Sequence, residues 1–260
     1  MSAAILAAGG GFPAPGPGDF EYPPIFGEGT FLTKPMLIVI IGTIVVGAFF
    51  YFAARRAALV PGKLQYAGEA VYGFVRNSIA RESIGADFRK FVPYLATLFV
   101  YLLALNLAGI IPFLQFPATS KIGIPLTLAI ISWLIFLTVG IRRQGFGGYF
   151  KNMMFPPGIP WLVYFLLAPI EFFSTVIVRP ITLTLRLTLN MFAGHLVLLL
   201  CILGGTYLLE LGGAVALISP IAYIFGIILT AFEGFIQFLQ AYVFTLLSAL
   251  YIGGALAEDH

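Results

Sequence analysis

The chain has 260 residues, of which 60% are hydrophobic and 10% are charged, with a net charge of +3. A soluble domain carries about 25% charged residues, so this composition excludes a protein whose main solvent is water. The only cysteine, Cys201, has no second cysteine to pair with, which excludes a disulfide framework or a thiolate metal cluster within the chain.

Long apolar stretches predict an all-α protein that crosses a membrane several times. A helix needs about 20 residues to cross roughly 30 Å of hydrocarbon. Five stretches are of about that length or longer: 36–54, 91–114, 122–141, 159–207 and 214–257. We therefore expect a single membrane-embedded domain, residues 35–257, with about five transmembrane helices. It is preceded by a tail of residues 1–34 and followed by a tail of residues 258–260.

The distribution of Lys and Arg predicts the orientation of these helices. Basic residues cluster in two connecting segments: Arg55, Arg56, Lys63, Arg76, Arg81, Arg89 and Lys90 in the first, Arg142, Arg143 and Lys151 in the second. Because short basic loops stay on the cytoplasmic side, both segments should face the cytoplasm. The tail 1–34 is then extracytoplasmic, and residues 258–260 are cytoplasmic. We expect the basic segments to attract anionic lipid and not nucleic acid.

Residues 64–84, between the first two spans, predict an amphipathic helix on the inner membrane surface. Its apolar residues recur near helical spacing: Leu64, Val71, Phe74, Val75 and Ile79. Charged residues occupy the other faces, as is typical of a helix that lies in the membrane interface. A plain solvated connector is the alternative.

The last two apolar stretches are too long to be single upright helices. At 1.5 Å per residue, 159–207 and 214–257 would be roughly 70 and 65 Å long, about twice the thickness of a bilayer. Each could fold back as two spans, but the first offers no polar turn, so we favour a long, tilted hairpin. Its turn is expected near Gly204-Gly205 and Gly212-Gly213, with Glu210 in or near the turn.

Both of these stretches carry a stripe of polar residues. Ionisable groups inside a bilayer cost at least ~2.5–3.5 kcal/mol each, so they usually face a protein interior or a wet cavity. Steps of three or four residues align the first set on one side of a helix: Glu171, Thr175, Arg179 or Thr182, Arg186 and Asn190. The second set has the same spacing: Thr230, Glu233, Gln237 and Gln240.

Arg186 is the most informative of these residues, because a guanidinium group keeps its proton and so needs an anionic partner. Glu171 would lie about 22 Å away along a straight helix, which is too far. Glu233, on the other helix, could form a structural ion pair with Arg186. Otherwise Arg186 belongs to a conduction or ligand site.

Glu233 and His195 can both exchange protons, which favours a proton relay over a merely hydrogen-bonded interior histidine. The chain has only one other histidine, so we expect no metal site. Gln237, Gln240 and Asn190 neither gain nor lose protons, but they can hold and orient water. These amides would line a path for protons.

Three further polar residues are secondary candidates. Glu171 and Arg179 lie toward the cytoplasmic start of their stretch, where an inner aqueous opening could reach them, although Arg179 is long enough to snorkel to the interface. Asn106 is more typical of a hydrogen bond between helices than of a channel.

The run from Arg179 to His195, RPITLTLRLTLNMFAGH, resembles the signature of the ATP synthase subunit a family, as does Ala168-Pro169-Ile170-Glu171 before it. The last stretch, with Glu233 and Gln240-Ala241-Tyr242-Val243-Phe244, supplies the other half of the family pattern, and Asn106–Pro112 adds to it. The resemblance extends over roughly residues 35–257.

The chain departs from the family pattern at two places. Many bacterial members have Phe-Gly where this chain has Thr188-Leu189, so the local helix packing is expected to differ. Some members carry Glu and His in exchanged form at the positions of His195 and Glu233. Both the acid and the imidazole are retained, so the relay chemistry is expected to survive the exchange.

The resemblance implies a proton-conducting stator subunit of a rotary ATP synthase, which is not an enzyme by itself and has no cofactor. Its partners would be a ring of c subunits, the peripheral-stalk b subunits and the lipid of a bacterial plasma membrane. An outer half-channel would reach the ring past Glu233, His195, Asn190 and Gln240. An inner half-channel would lead from the ring past Glu171. Arg186 would separate the two half-channels and attract the carboxylates of the ring.

Two other classes of protein are less consistent with the sequence. A secondary transporter would have inverted repeats, and the first three spans do not correspond to the last two. A membrane-embedded enzyme would need a nucleophile and base or paired acidic metal ligands, and the apolar stretches contain no Asp-rich cluster or Gly-x-Ser-x-Gly motif. Sodium is the alternative coupling ion, because some related machines use it.

Overall fold

The structure is a computed structural model that describes residues 12, 14–16, 18, 33–55, 58, 60–111, 114, 116–154 and 161–256. The predicted tail 1–34 lies almost wholly outside these residues, and the predicted tail 258–260 lies wholly outside them. The described α-helices are α1 (Lys34–Arg55), α2 (Lys63–Phe74), α3 (Arg81–Ile84), α4 (Val92–Leu107), α5 (Gly123–Gln144), α6 (Phe146–Met154), α7 (Trp161–Phe173), α8 (Arg179–Leu211) and α9 (Ser219–Leu256).

Shorter helical segments connect several of these helices. Two are π-helical: Val75–Ala80 joins α2 to α3, and Ser174–Val178 joins α7 to α8. Three are 3₁₀-helical: Gly85–Lys90, Ala118–Ser120 and Gly213–Ile218. The described part of the chain contains no strand, and the prediction of an all-α protein is confirmed.

Four helical stretches of the described residues are long and apolar enough to cross a membrane: Lys34–Arg55, Gly123–Gln144, Tyr164–Leu211 and Gly213–Leu256. The fifth apolar helix, α4, has only 16 residues, or about 24 Å. It ends well before residue 114, where the predicted span ended, because the chain turns after Leu107 with a bond from the Gly109 amide to the Asn106 carbonyl. The protein is therefore a multi-pass membrane protein with one short apolar helix.

The last two stretches form the predicted long hairpin. They contain 48 and 44 residues, or about 72 and 66 Å at 1.5 Å per residue. The chain reverses at Gly212 and Gly213, whose φ angles are 67° and 63°. Only glycine adopts this left-handed region at little cost, so these two residues permit the turn. Glu210 lies exposed in the last turn of α8, next to the reversal.

The expectation that Gly204-Gly205 also takes part in the turn is wrong, because α8 continues to Leu211. Gly205 instead provides space between the two helices. A Cβ on this residue would lie 3.1 Å from Cζ of the Tyr223 ring on α9. Gly205 is thus explained by close helix packing and not by a bend.

The predicted amphipathic helix is present as α2, the π segment and α3. Val75, Ile79, Ala80 and Ile84 are buried against the bundle, whereas Leu64 at the start of α2 is exposed, contrary to the sequence pattern. α3 packs against the end of α9. Its position on the inner membrane surface stays a prediction.

The core of the bundle is formed where α4, α8 and α9 meet. Leu95, Leu102, Leu187, Met191 and Phe244 are at most 1% exposed. These contacts fix which face of α8 points inward and which points away from the bundle.

Candidate functional site

The helix α8 has one buried and one exposed face. Its buried residues recur every three or four positions: Leu183, Leu187, Met191, His195 and Leu198. This face packs against α5, α9 and the segment Ala118–Ser120. The residues between them are exposed: Leu185, Arg186, Leu189, Asn190, Ala193 and Val197. The same helix therefore presents His195 to the interior and Arg186 to the outside.

Arg186 is exposed and makes no hydrogen bond or ion pair with any residue that the structure describes. Glu233, which could have paired with it, is only 4% exposed and contacts other residues. The structural ion pair that the sequence left open is thus not formed. A permanent cation on an apolar helix is costly without an anion, and none of the described residues supplies one to Arg186.

Glu233, His195 and Gln237 form a compact polar cluster between α8 and α9. The His195 Nε2 atom lies 3.3 Å from the Glu233 Oε1 atom, although the ring is not aligned for a hydrogen bond. The Gln237 side chain donates to the same oxygen at 3.4 Å. His195 Nε2, Glu233 Oε2 and Gln237 Oε1 are buried without a hydrogen-bond partner among the described residues. Buried atoms of this kind bind water or exchange protons, and are otherwise costly.

Asn190 and Gln240 connect this buried cluster to the exposed face of α8. The Asn190 Nδ2 group donates to Gln240 Oε1 at 2.9 Å. Asn190 is one helical turn from Arg186, while Gln240 is buried on α9 close to Gln237. The polar residues therefore follow each other from the interior to the neighbourhood of Arg186.

Asn106 is fully buried and links three elements beside the cluster. It accepts a hydrogen bond from the Thr119 hydroxyl at 2.7 Å and donates to the backbone carbonyl of Gln237 at 3.4 Å. This is the helix–helix hydrogen-bonding role that the sequence favoured for it. Thr119 was missed, because a single threonine in a short connection gives no signal in the sequence.

Two glycines, also missed by the sequence analysis, provide the space for the His195–Glu233 pair. A Cβ on Gly109 would lie 3.0 Å from His195 Cε1 and closer still to Nε2. On the other side, a Cβ on Gly194 would lie 3.1 Å from Glu233 Oε1. Only the packing of α4 against the hairpin reveals that these glycines border the pair.

Arg179, at the start of α8, has a different environment from Arg186. Its guanidinium carbon lies 4.9 Å from the centre of the Tyr251 ring on α9 and 6.0 Å from that of Phe136 on α5. Burial raises the pKa of the nearby Tyr149 hydroxyl on α6, and the charge of Arg179 opposes that shift. Arg179 is thus half-buried among aromatic rings instead of snorkelling away from the bundle.

The π segment Ser174–Val178 interrupts the first predicted polar stripe. A π turn holds more residues than an α turn, so it rotates the helix before it relative to the helix after it. Thr175 is buried, and its carbonyl accepts a bond from the Trp133 indole at 3.2 Å, whereas Arg186 is exposed. Glu171 is half-buried on α7. The stripe is therefore not one continuous face, although Arg186 and Asn190 remain together.

Comparisons with known proteins show the family of this chain. A family model described as ATP synthase A chain matches residues 36–253. The chain is 48% identical to an ATP synthase subunit a of a Nocardioides species, over 98% of this chain and 96% of the relative. It is 43% identical to the subunit a of Streptomyces lividans, over 97% and 90% of the two chains. It is also 43% identical to that of Rhodococcus erythropolis, over 100% and 96%.

Proposed function

We propose that this chain, which belongs to the ATP synthase A chain family, is the proton-conducting stator subunit of a rotary ATP synthase. It is part of the membrane sector of that complex and lies in a bacterial plasma membrane. The basic segments favour an N-terminus outside and a C-terminus in the cytoplasm. It moves protons and leaves the chemistry of ATP to other subunits.

The exposed, unpartnered guanidinium of Arg186 carries this proposal. A ring of c subunits would bring one carboxylate after another past the outer face of α8, and each would be the anion that Arg186 lacks. At 4 Å and an effective dielectric constant of about 20, the attraction amounts to about 4 kcal/mol. One charge that crosses 100 mV releases about 2.3 kcal/mol. The two energies are of the same order, so one proton that moves down the membrane potential can supply the energy that separates a carboxylate from Arg186.

The polar cluster between α8 and α9 is suited to deliver protons to this point. Glu233 and His195 can hold and release a proton, and Gln237 contacts the carboxylate of Glu233. The Asn190–Gln240 pair continues the path toward Arg186. We assign these residues to the outer half-channel.

Glu171 belongs to the inner half-channel in this proposal. It is half-buried on α7, on the far side of Arg186 from the cluster. Arg186 then lies between the two half-channels and prevents a direct leak of protons. The peripheral-stalk b subunits hold the chain still while the ring rotates.

The test is the substitution Arg186→Gln in the complete complex, with Arg179→Gln as the matched control. Both remove one cation from the same helix. In inverted vesicles, we expect Arg186→Gln to reduce ATP-driven proton pumping at least about tenfold, since the attraction that it removes is several kcal/mol. The Arg179→Gln complex should pump within about twofold of the unaltered complex, because the guanidinium group of Arg179 packs against aromatic rings and does not face a passing carboxylate.

Two experimental results would overturn the proposal. Near-normal pumping by Arg186→Gln vesicles with equal amounts of assembled complex would remove the stator role. Vesicles that contain the unaltered complex test the coupling ion: at fixed pH, their pumping should be independent of sodium concentration. A requirement for sodium would replace protons with sodium in the proposal.

A further inference from the structure

A cleft of about 310 Å³ lies away from the hairpin cluster, where the amphipathic helix meets the start of α4. Four residues line it: Tyr72 of α2, Arg76 of the π segment, Arg89 of the segment Gly85–Lys90, and Val92, the first residue of α4. The cleft therefore combines two cations, a phenol and the end of an apolar helix.

Neither arginine of the cleft is neutralised by the described part of the chain. Arg76 and Arg89 make no hydrogen bond or ion pair with a described residue. The neighbouring carboxylate, Asp87, is already engaged by Lys90 at 2.8 Å and by Arg143 at 3.8 Å. The cleft thus has two positive charges and no acid of its own to balance them.

The cleft lies beside the ends of two apolar helices, where we expect helices to enter the hydrocarbon. Val92 begins an apolar helix, and the contact between Asp87 and Arg143 puts the end of α5 beside the same segment. Tyr72, which is 38% exposed, has the amphipathic ring that is typical of a membrane interface. A lipid whose acyl chains lie beside the exposed residues of α4 would hold its phosphate at the two arginines that line the cleft.

We propose that the cleft binds the phosphate group of an anionic phospholipid. Guanidinium groups form paired, charge-assisted hydrogen bonds with phosphate, and a tyrosine hydroxyl can add another. The net charge of the cleft favours an anionic lipid over a zwitterionic one, because the extra positive charge of a zwitterionic headgroup would meet Arg76 and Arg89. This site is separate from Arg186 and does not depend on the proposed proton path.

The test compares Arg76→Gln/Arg89→Gln with Arg81→Gln/Arg142→Gln in the complete complex. Both double variants remove two exposed cations, but only the first removes them from the cleft. The delipidated complex is titrated with phosphatidylglycerol, phosphatidylcholine or inorganic phosphate, and bound molecules are counted by native mass spectrometry. The cleft variant should bind phosphatidylglycerol about tenfold more weakly or worse, since it loses charged hydrogen bonds. The control variant should bind it normally.

The other arms separate the lipid from competing occupants. Phosphatidylcholine should not compete for the site, and millimolar phosphate should not displace phosphatidylglycerol. Equal lipid binding by both double variants would overturn the proposal. So would displacement by free phosphate, which would show a soluble-anion site, or loss of another ATP synthase subunit without loss of lipid, which would show a protein partner. Proton pumping by the cleft variant confirms that the complex has assembled.

Discussion

Two arginines on α8 lie about two helical turns apart and have opposite environments. Arg179 packs over the rings of Tyr251 and Phe136, whose faces attract its charge inside the bundle. Arg186 is exposed and touches no anion among the described residues. The sequence already ranked Arg186 above Arg179, which could snorkel to the interface, but it did not show the rings that surround Arg179.

Under the proposed function, the difference distinguishes a structural cation from one that another subunit would approach. Aromatic faces stabilise a guanidinium group by about 0.5–2 kcal/mol and do not move. A site that must hold and then release a passing carboxylate needs the opposite, namely a charge without a permanent partner. Arg186 satisfies that requirement and Arg179 does not.

The largest expected effect comes from exchanging each arginine for lysine, which keeps the charge at both positions. An ammonium group is a point charge that loses its proton when it is desolvated, and it cannot pair with a carboxylate through two parallel bonds. We expect Arg186→Lys to lower ATP-driven pumping at least about tenfold, whereas Arg179→Lys should stay within about twofold, because lysine also packs on aromatic faces.

Initial rates of acidification in inverted vesicles, normalised to the amount of assembled complex, measure this difference. If both lysine variants lost activity equally, the proposed difference in role between Arg179, which packs on aromatic rings, and Arg186, which is exposed, would be wrong. If both pumped normally, charge alone would suffice and the geometry of the guanidinium would not matter.

An intermediate effect is expected from Gly109→Ala. Gly109 follows α4 and contacts His195 on the buried face of α8. The new methyl group would overlap the end of the His195 ring, and His195 can rotate away from Glu233 to avoid it. We expect pumping to fall roughly three- to tenfold, which is less than the ~100-fold effect of losing a proton-transfer group, because His195 is moved and not removed. The fall should depend on pH, since a structural defect alone would lower the rate equally at every pH.

Gly47→Ala is the matched control for this substitution. A Cβ at Gly47, on α1, would meet no atom within 4 Å. This variant should pump normally at every pH. A normal pH profile and rate in Gly109→Ala would show that the contact between His195 and Glu233 is not needed for proton delivery.

The sequence predicted the helices well, because long apolar stretches leave few alternatives in a membrane. It placed the hairpin turn at Gly212-Gly213, where positive φ angles require glycine, but it assigned the same role to Gly204-Gly205, which serves packing. Spacing alone cannot distinguish a glycine that turns the chain from one that admits a neighbouring ring.

The candidate site was predictable in its residue types and less so in its geometry. Helical spacing put Asn190 beside Arg186, and it put Glu233 and Gln237 on one face of α9, as the structure has them. It could not foresee the π segment, which rotates Thr175 away from Arg186, since π turns have no clear sequence signature. The rings around Arg179 come from α5 and α9, far away in the chain, so only tertiary packing reveals them.

The smallest expected effect concerns the stability that the rings around Arg179 contribute. A double-mutant cycle with Arg179→Gln and Tyr251→Leu should give a coupling free energy of about 0.5–2 kcal/mol, measured by denaturant unfolding of the reconstituted protein. The cycle with Phe136→Leu should give a smaller value, because that ring lies 6.0 Å away instead of 4.9 Å. Zero coupling in both cycles would mean that the rings merely surround Arg179. Coupling restricted to Tyr251 would identify this ring as the contact that makes the environment of Arg179 different from that of Arg186.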